Sequence, residues 1–164
     1  MSPTEPDPKT LSKARAAALR LLAHRDRATR ELADRLLERF PQDIVDTVMA
    51  QVTGLGYLND ERLAERLVEE FIDRRHFGPR RIRQELKKRK LSPEAMALGL
   101  AATDDRELVR DTARAATRAF FKGRPPAADP GTQRRLAGYL GRRGFSDATI
   151  RDMLADIRQA NLAK

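Results

Sequence analysis

Apolar residues recur along the chain at three- and four-residue spacing: Leu19 and Leu22, then Leu32, Leu36 and Leu37, then Val45, Val48, Met49 and Val52. A helix turns about 100° per residue, so each set forms one apolar stripe on a helical surface. No segment alternates apolar and polar residues as a half-buried strand does. Breakers fall at Pro41, Gly54 and Gly56, Gly78-Pro79, Ser92-Pro93, Thr103-Asp104, the segment KGRPPAADPG at Lys122 to Gly131, and Gly144 to Asp147. They divide the chain into about nine helices and predict an all-α fold. Pro3, Pro6 and Pro8 mark residues 1–9 as a disordered tail, with order expected from Thr10 or Ser12.

Several boundaries carry a mechanism. Gly78 is expected to take the left-handed conformation that ends a helix, with Pro79 preset for the first turn of the next. Ser92 before Pro93, Asp104 three residues before Glu107, and Ser146 before Asp147 are expected N-caps. The helices also repeat. Leu32 and Leu36 align with Ile82 and Leu86 at an offset of 50, and these with Leu136 and Leu140 at an offset of 54. With one residue deleted near Pro41, Val45, Val48 and Met49 fall on Met96, Gly99 and Leu100 and on Ile150, Met153 and Leu154. Arg30, Arg80 and Arg134 share one register, and Arg39, Arg89 and Arg143 another. The pattern predicts three tandem three-helix repeats, at 10–58, 59–102 and 103–164, with a Pro-rich loop at 122–131 in the third.

Charge separates these units. The chain of 164 residues has a net charge of +9, which suits a polyanion or an acidic protein surface and also promotes simple solubility. In the first unit the middle helix, Thr29 to Phe40, sets Arg30, Arg35 and Arg39 against Glu31, Asp34 and Glu38, which reads as an ordinary solvated face. The matching stretch Asp73 to Lys90 holds Arg74, Arg75, Arg80, Arg81, Arg83, Lys87, Lys88, Arg89 and Lys90 against only Asp73 and Glu85. In the third unit, Pro130 to Ser146 holds Arg134, Arg135, Arg142 and Arg143 and no acid until Asp147 follows. Ile82 and Leu86 define a core edge, while Arg80, Arg83, Lys87 and Lys90 cluster on the other side with Arg81 and Lys88 flanking. Unpaired like charges on one helix cost stability, which favours a binding surface there. A second stripe, Arg106, Arg110, Arg114 and Arg118, has Glu107 and Asp111 at hand and reads as solvated.

Catalytic patterns are missing. There is no phosphate-binding loop, Gly54-Leu55-Gly56 joins two helices, and no Cys is present for a disulfide or a thiolate metal site. His24 and His76 stand alone after helices, where a cation favours the helix dipole. Ser12, Ser92 and Ser146 lie at helix starts and Ser2 in the tail, so no nucleophile–base pair suggests itself. The reading is a non-enzymatic binding protein without cofactor or metal, expected to be monomeric, cytoplasmic and free of membrane spans.

Gly56-Tyr57-Leu58-Asn59-Asp60-Glu61-Arg62-Leu63-Ala64 and Gly78-Pro79-Arg80-Arg81-Ile82-Arg83-Gln84-Glu85-Leu86 resemble two motifs of the RecX family, regulators of the bacterial recombinase RecA. AHRDRATRELADRLLERF at Ala23 to Phe40 is similar to that family's opening segment, and Arg142-Arg143-Gly144-Phe145 to the Lys/Arg-Gly-Phe that closes its repeats. The likeness runs from about Ala14 to Ile157. Leu63 stands where the family usually has Phe, and Arg89-Lys90-Leu91 lacks the family's Gly. The resemblance implies an elongated, curved array of three three-helix repeats that binds in the groove of the RecA filament on single-stranded DNA, and either inhibits ATP hydrolysis and strand exchange or promotes disassembly. Double-stranded DNA is a further candidate ligand. The residues expected to make this contact are Arg74, Arg75, Arg80, Arg81, Arg83, Lys87, Lys88, Lys90, Arg134, Arg135, Arg142 and Arg143. A basic DNA-binding or architectural protein with no recombinase partner is the alternative, and a scaffold for an acidic protein the third reading.

Overall fold

Asp7 caps the first helix. Its carboxylate accepts hydrogen bonds from the Lys9 and Thr10 amides at 3.3 and 3.1 Å, and Pro8 fills the first helical position. Helix α1 therefore runs Pro8–His24, and Pro8 and Lys9 belong to it rather than to the expected tail. The structure, a computed structural model, describes residues 7–163, so the rest of that expected tail lies outside the described residues. The remaining helices are α2 Thr29–Leu37, α3 Gln42–Gly54, α4 Asp60–Asp73, α5 Pro79–Lys88, α6 Pro93–Leu100, α7 Arg106–Phe121, α8 Pro130–Arg142 and α9 Asp147–Leu162. A 3-10 turn, Ala101–Asp104, links α6 to α7, and no strand occurs among the described residues. None of the described helices is long and apolar enough to cross a membrane.

Two of the expected caps form as read. Ser92 Oγ accepts from the Ala95 amide and Ser146 Oγ from the Thr149 amide, each at 3.2 Å. The cap of α7 is Asp105 instead of Asp104, because the 3-10 turn absorbs Asp104 and moves the start by one residue. Gly78 is not left-handed: its φ is −81° and it is the N-cap of α5. The left-handed residue after α4 is His76, at φ 50°, whose ring Nδ1 lies 3.2 Å from the Ile72 carbonyl oxygen. Glycine is required at 78 for room, since a Cβ there would sit 2.6 Å from the Gly144 carbonyl oxygen.

The aligned apolar positions are the cores. Leu32, Leu36, Ile82, Leu86, Leu136 and Leu140 are all at most 1% exposed, each contributing roughly 1.5–3 kcal/mol by burial. Leu32 and Leu36 pack with Val45, Val48 and Val52 in one cluster. Ile82 and Leu86 pack with Leu63, Leu67 and Met96 in a second, where Gly99 lets α6 approach Ala64 of α4. Leu136 and Leu140 pack with Phe145, Met153 and Ile157 in a third. Three cores in chain order make an elongated helical array rather than one shared interior.

The junctions between units follow one plan. Ala28 and Gly78, the N-caps of α2 and α5, offer no capping side chain. The next unit supplies the missing acceptors. Asp60 at the start of α4 accepts from the Thr29 amide at 2.8 Å and its hydroxyl at 3.0 Å. The carbonyls of Arg143 and Gly144 accept from the Gly78 and Arg80 amides at 2.7 and 3.1 Å. At the first junction Arg89 donates to the Asp26 carbonyl at 2.7 Å and pairs with Glu31 at 3.4 Å, while Lys90 pairs with Asp34 at 2.6 Å. At the second, Arg143 donates to the Arg75 carbonyl. Lys90 and Gly144 share a register and are both left-handed, at φ 58° and 87°. Helix α2 is thus not merely a solvated face, because two of its acids hold the second unit.

Candidate functional site

Helix α5 exists because Pro79 starts it, neighbouring carbonyls cap it, and Ile82 and Leu86 anchor one side in the second core. At helical spacing the positions 80, 83 and 87 then share an outward face. Arg80, Arg83 and Lys87 are all exposed there, and none makes an ion pair among the described residues. Glu85, the one acid within α5, is engaged by Arg81 at 2.9 Å and Lys88 at 3.1 Å, leaving the outward three uncompensated. Arg81 also lies 5.4 Å from the centre of the Phe77 ring and is half-buried, so it serves the fold as well as the surface. Lys90 is turned into the first junction by Asp34.

Arg74 and Arg75 follow the end of α4 rather than lying in α5, and both are exposed. In the third unit Arg134 and Arg142 are exposed and make no ion pair among the described residues, and Arg135 donates to the Thr132 hydroxyl at 3.0 Å. Arg143 is half-buried, stacked 4.6 Å from the Tyr139 ring centre and 5.8 Å from that of Phe77. The second junction brings the end of α8 against the start of α5: the Arg75 carbonyl meets Arg143, and the Gly78 and Arg80 amides meet the Arg143 and Gly144 carbonyls, with exposed Arg74 and Arg142 next to these in sequence. From there Lys87 lies about 10 Å along α5 at 1.5 Å per residue. The result is an exposed run of cation along α5.

The α7 stripe behaves differently from its expected pairing. Arg114 pairs with Asp111 at 2.8 Å as read, but Arg110 reaches Asp156 of α9 at 3.1 Å, and Glu107 makes no ion pair among the described residues. For Glu31 and Asp34 the sequence hid the partners across the first junction. Glu31 meets Arg25, Arg27 and Arg89; burial pushes its carboxyl up, but the hydrogen bond and charge of Arg25 with the charges of Arg89 and Arg27 hold it below the ordinary range. The hydrogen bond from Lys90 lowers Asp34 in the same way. The shared register of Arg39, Arg89 and Arg143 was the one available signal that this position has a special task.

The sequence and fold both have relatives. RecX, first three-helix domain, matches residues 14–51, and RecX, second three-helix domain, matches residues 59–100. Regulatory protein RecX of Trichlorobacter lovleyi is 37% identical over 141 residues, covering 84% of this chain and 90% of that protein. Regulatory protein RecX of Lacticaseibacillus paracasei is 31% identical over 140 residues, covering 85% of this chain but 58% of its own length, so the chain spans little more than half of that relative. The crystal structure of RecX from Lactobacillus salivarius superposes with a TM-score of 0.77 at 20% identity, covering 92% of this chain and 98% of that one. A crystal structure of regulatory protein RecX gives a TM-score of 0.71 at 22% identity, covering 95% and 81%.

Proposed function

Because this chain belongs to the RecX family, we propose that it is a non-catalytic regulator that lies along the RecA filament on single-stranded DNA and holds down its ATP hydrolysis and strand exchange, so dampening recombination and the SOS response in the cytoplasm. The observation that carries this reading is the uncompensated face of Arg80, Arg83 and Lys87, joined at the second junction to the cations of α8. A rod with cations spread over two units gains affinity by adding contacts along a repeating partner, so each contact can be weak. Phosphates reward such a face by releasing counterions, and acidic protein patches reward it by charge complementarity. Arg74, Arg75, Arg80, Arg81, Arg83, Lys87, Lys88, Lys90, Arg134, Arg135, Arg142 and Arg143 form the proposed contact, with Arg80, Arg83, Lys87 and Arg142 as its freest members and Arg81, Lys90 and Arg143 shared with the fold.

The test is RecA ATP hydrolysis on excess single-stranded DNA, titrated with this protein as a monomer at two salt concentrations. Inhibition well below one protein per DNA site is expected. The variant Arg80→Glu/Arg83→Glu/Lys87→Glu should keep its helical circular dichroism, because those side chains have no partner to lose among the described residues, and should fail to inhibit. Inhibition that excess DNA abolishes would instead indicate a basic DNA-binding protein, and an unaffected triple variant would remove α5 from the contact.

A further inference from the structure

At both junctions the end of one middle helix receives the start of another. Arg89 and Arg143, in one register, each donate to a carbonyl that precedes a helix start lacking its own cap, at Asp26 and Arg75. Arg39 holds the same register in the first unit, and its side chain makes no hydrogen bond or ion pair among the described residues. It is exposed, as are Lys13 and Arg20 on neighbouring α1, and none of the three makes an ion pair among the described residues. Between α1 and the end of α2 lie two adjoining hollows of about 390 and 420 Å³, sharing Ala17, Arg20, Arg39 and Phe40. Their floor includes Leu21, Leu36 and half-buried Phe40, and the acid at the rim, Glu38, is engaged by Arg35 at 2.9 Å.

We propose that this end of the array is an open junction, which takes from a partner protein a helix entering N-terminus first with an acidic residue in its first turn. The closed junctions define that chemistry between them, the second by its acceptor carbonyls and the first by an arginine that takes a carbonyl and a carboxylate. The carbonyls at the end of α2 carry the negative pole of the helix and suit the unpaired amides of an uncapped start. Arg39 would take a backbone carbonyl and a first-turn carboxylate as Arg89 takes those of Asp26 and Glu31. Lys13 and Arg20 add attraction for an acidic helix, and the floor asks for an aliphatic residue. A nucleic acid strand would satisfy the cations and leave the apolar floor uncovered, which is why the occupant is a protein.

The probe is a synthetic peptide of residues Asp26–Leu37, DRATRELADRLL, labelled at its C-terminus and titrated by fluorescence anisotropy with the full chain. Saturable binding is expected. Arg39→Glu should weaken it about tenfold or more, as reversal of a paired interfacial charge does, while Arg142→Glu leaves it unchanged. A peptide carrying Glu31→Lys should not bind. Five results overturn the proposal: no saturable binding; equal binding by Arg39→Glu, as exchange with the chain's own α2 would give; equal binding of a scrambled peptide; dimerisation of the chain that Arg39→Glu removes; or binding only after removal of residues 1–6. Because no recombinase or DNA enters this assay, its outcome is separate from that of the filament-inhibition test.

Discussion

Glu31 shows how much a single side chain carries in this molecule. Three guanidinium groups converge on it from two units, and its side chain is only 12% exposed. Glu31→Gln removes the charge but keeps the shape, leaving the three arginines short of an anion. A loss of roughly 1–3 kcal/mol is expected, read as a lowered urea midpoint. The pH dependence follows from sign. A carboxyl whose folded pKa is depressed stabilises fully above its unfolded pKa, and that stability is lost as pH falls through the folded value. Glu31 and Asp34 are both depressed, so the melting temperature should drop on acidification below about pH 5, and drop less in Glu31→Gln. Sequence reading counts these acids correctly but pairs them within their own helix. Their partners across the junction, Arg89 and Lys90, lie over fifty residues away, and spacing along one helix carries no information about them.

Elements were more legible than contacts. The apolar period placed Ile82 and Leu86 on the core side of α5, where both are fully buried, and the Ser92 and Ser146 caps were readable because a serine before a first turn has one obvious task. Asp104 and Gly78 were misread for a common reason. A cap depends on which residue leaves helical geometry, and a 3-10 turn or a left-handed His76 shifts that by one or two positions without changing the pattern. Ser146→Ala should cost about 1 kcal/mol and Ile82→Ala about 2–5 kcal/mol, measured by urea unfolding, since one removes a single amide acceptor and the other opens the second core. Asp60→Ala should cost about as much as losing an ordinary cap, although the amide it satisfies lies 31 residues earlier.

At the scale of the whole molecule the repeats could be aligned from sequence, but the way they join could not, because the joints are made by backbone groups, by side chains paired with residues far away in the chain, and by the conformations of Lys90 and Gly144. Stability in such an array is the sum of unit and interface contributions. Gly144 has φ 87°, and a Cβ there would sit 2.2 Å from the Arg81 amide nitrogen. Gly144→Ala should therefore part the second and third units. A single calorimetric transition should split or broaden, with the second unit, deprived of the cap on α5, losing midpoint along with the third while the first is least affected. Both shared caps also run in one direction, from a later unit back to an earlier one. A chain leaving the ribosome would expose the bare start of α2 until Asp60 emerged, and that of α5 until the turn at Arg143 and Gly144 followed. The third unit departs from this rule, since Asp129 accepts from the Thr132 amide at 2.9 Å and finishes α8 on its own. Translation thus completes each of the first two units only through its successor, and a ribosome pausing between units would hold a half-finished joint in the open.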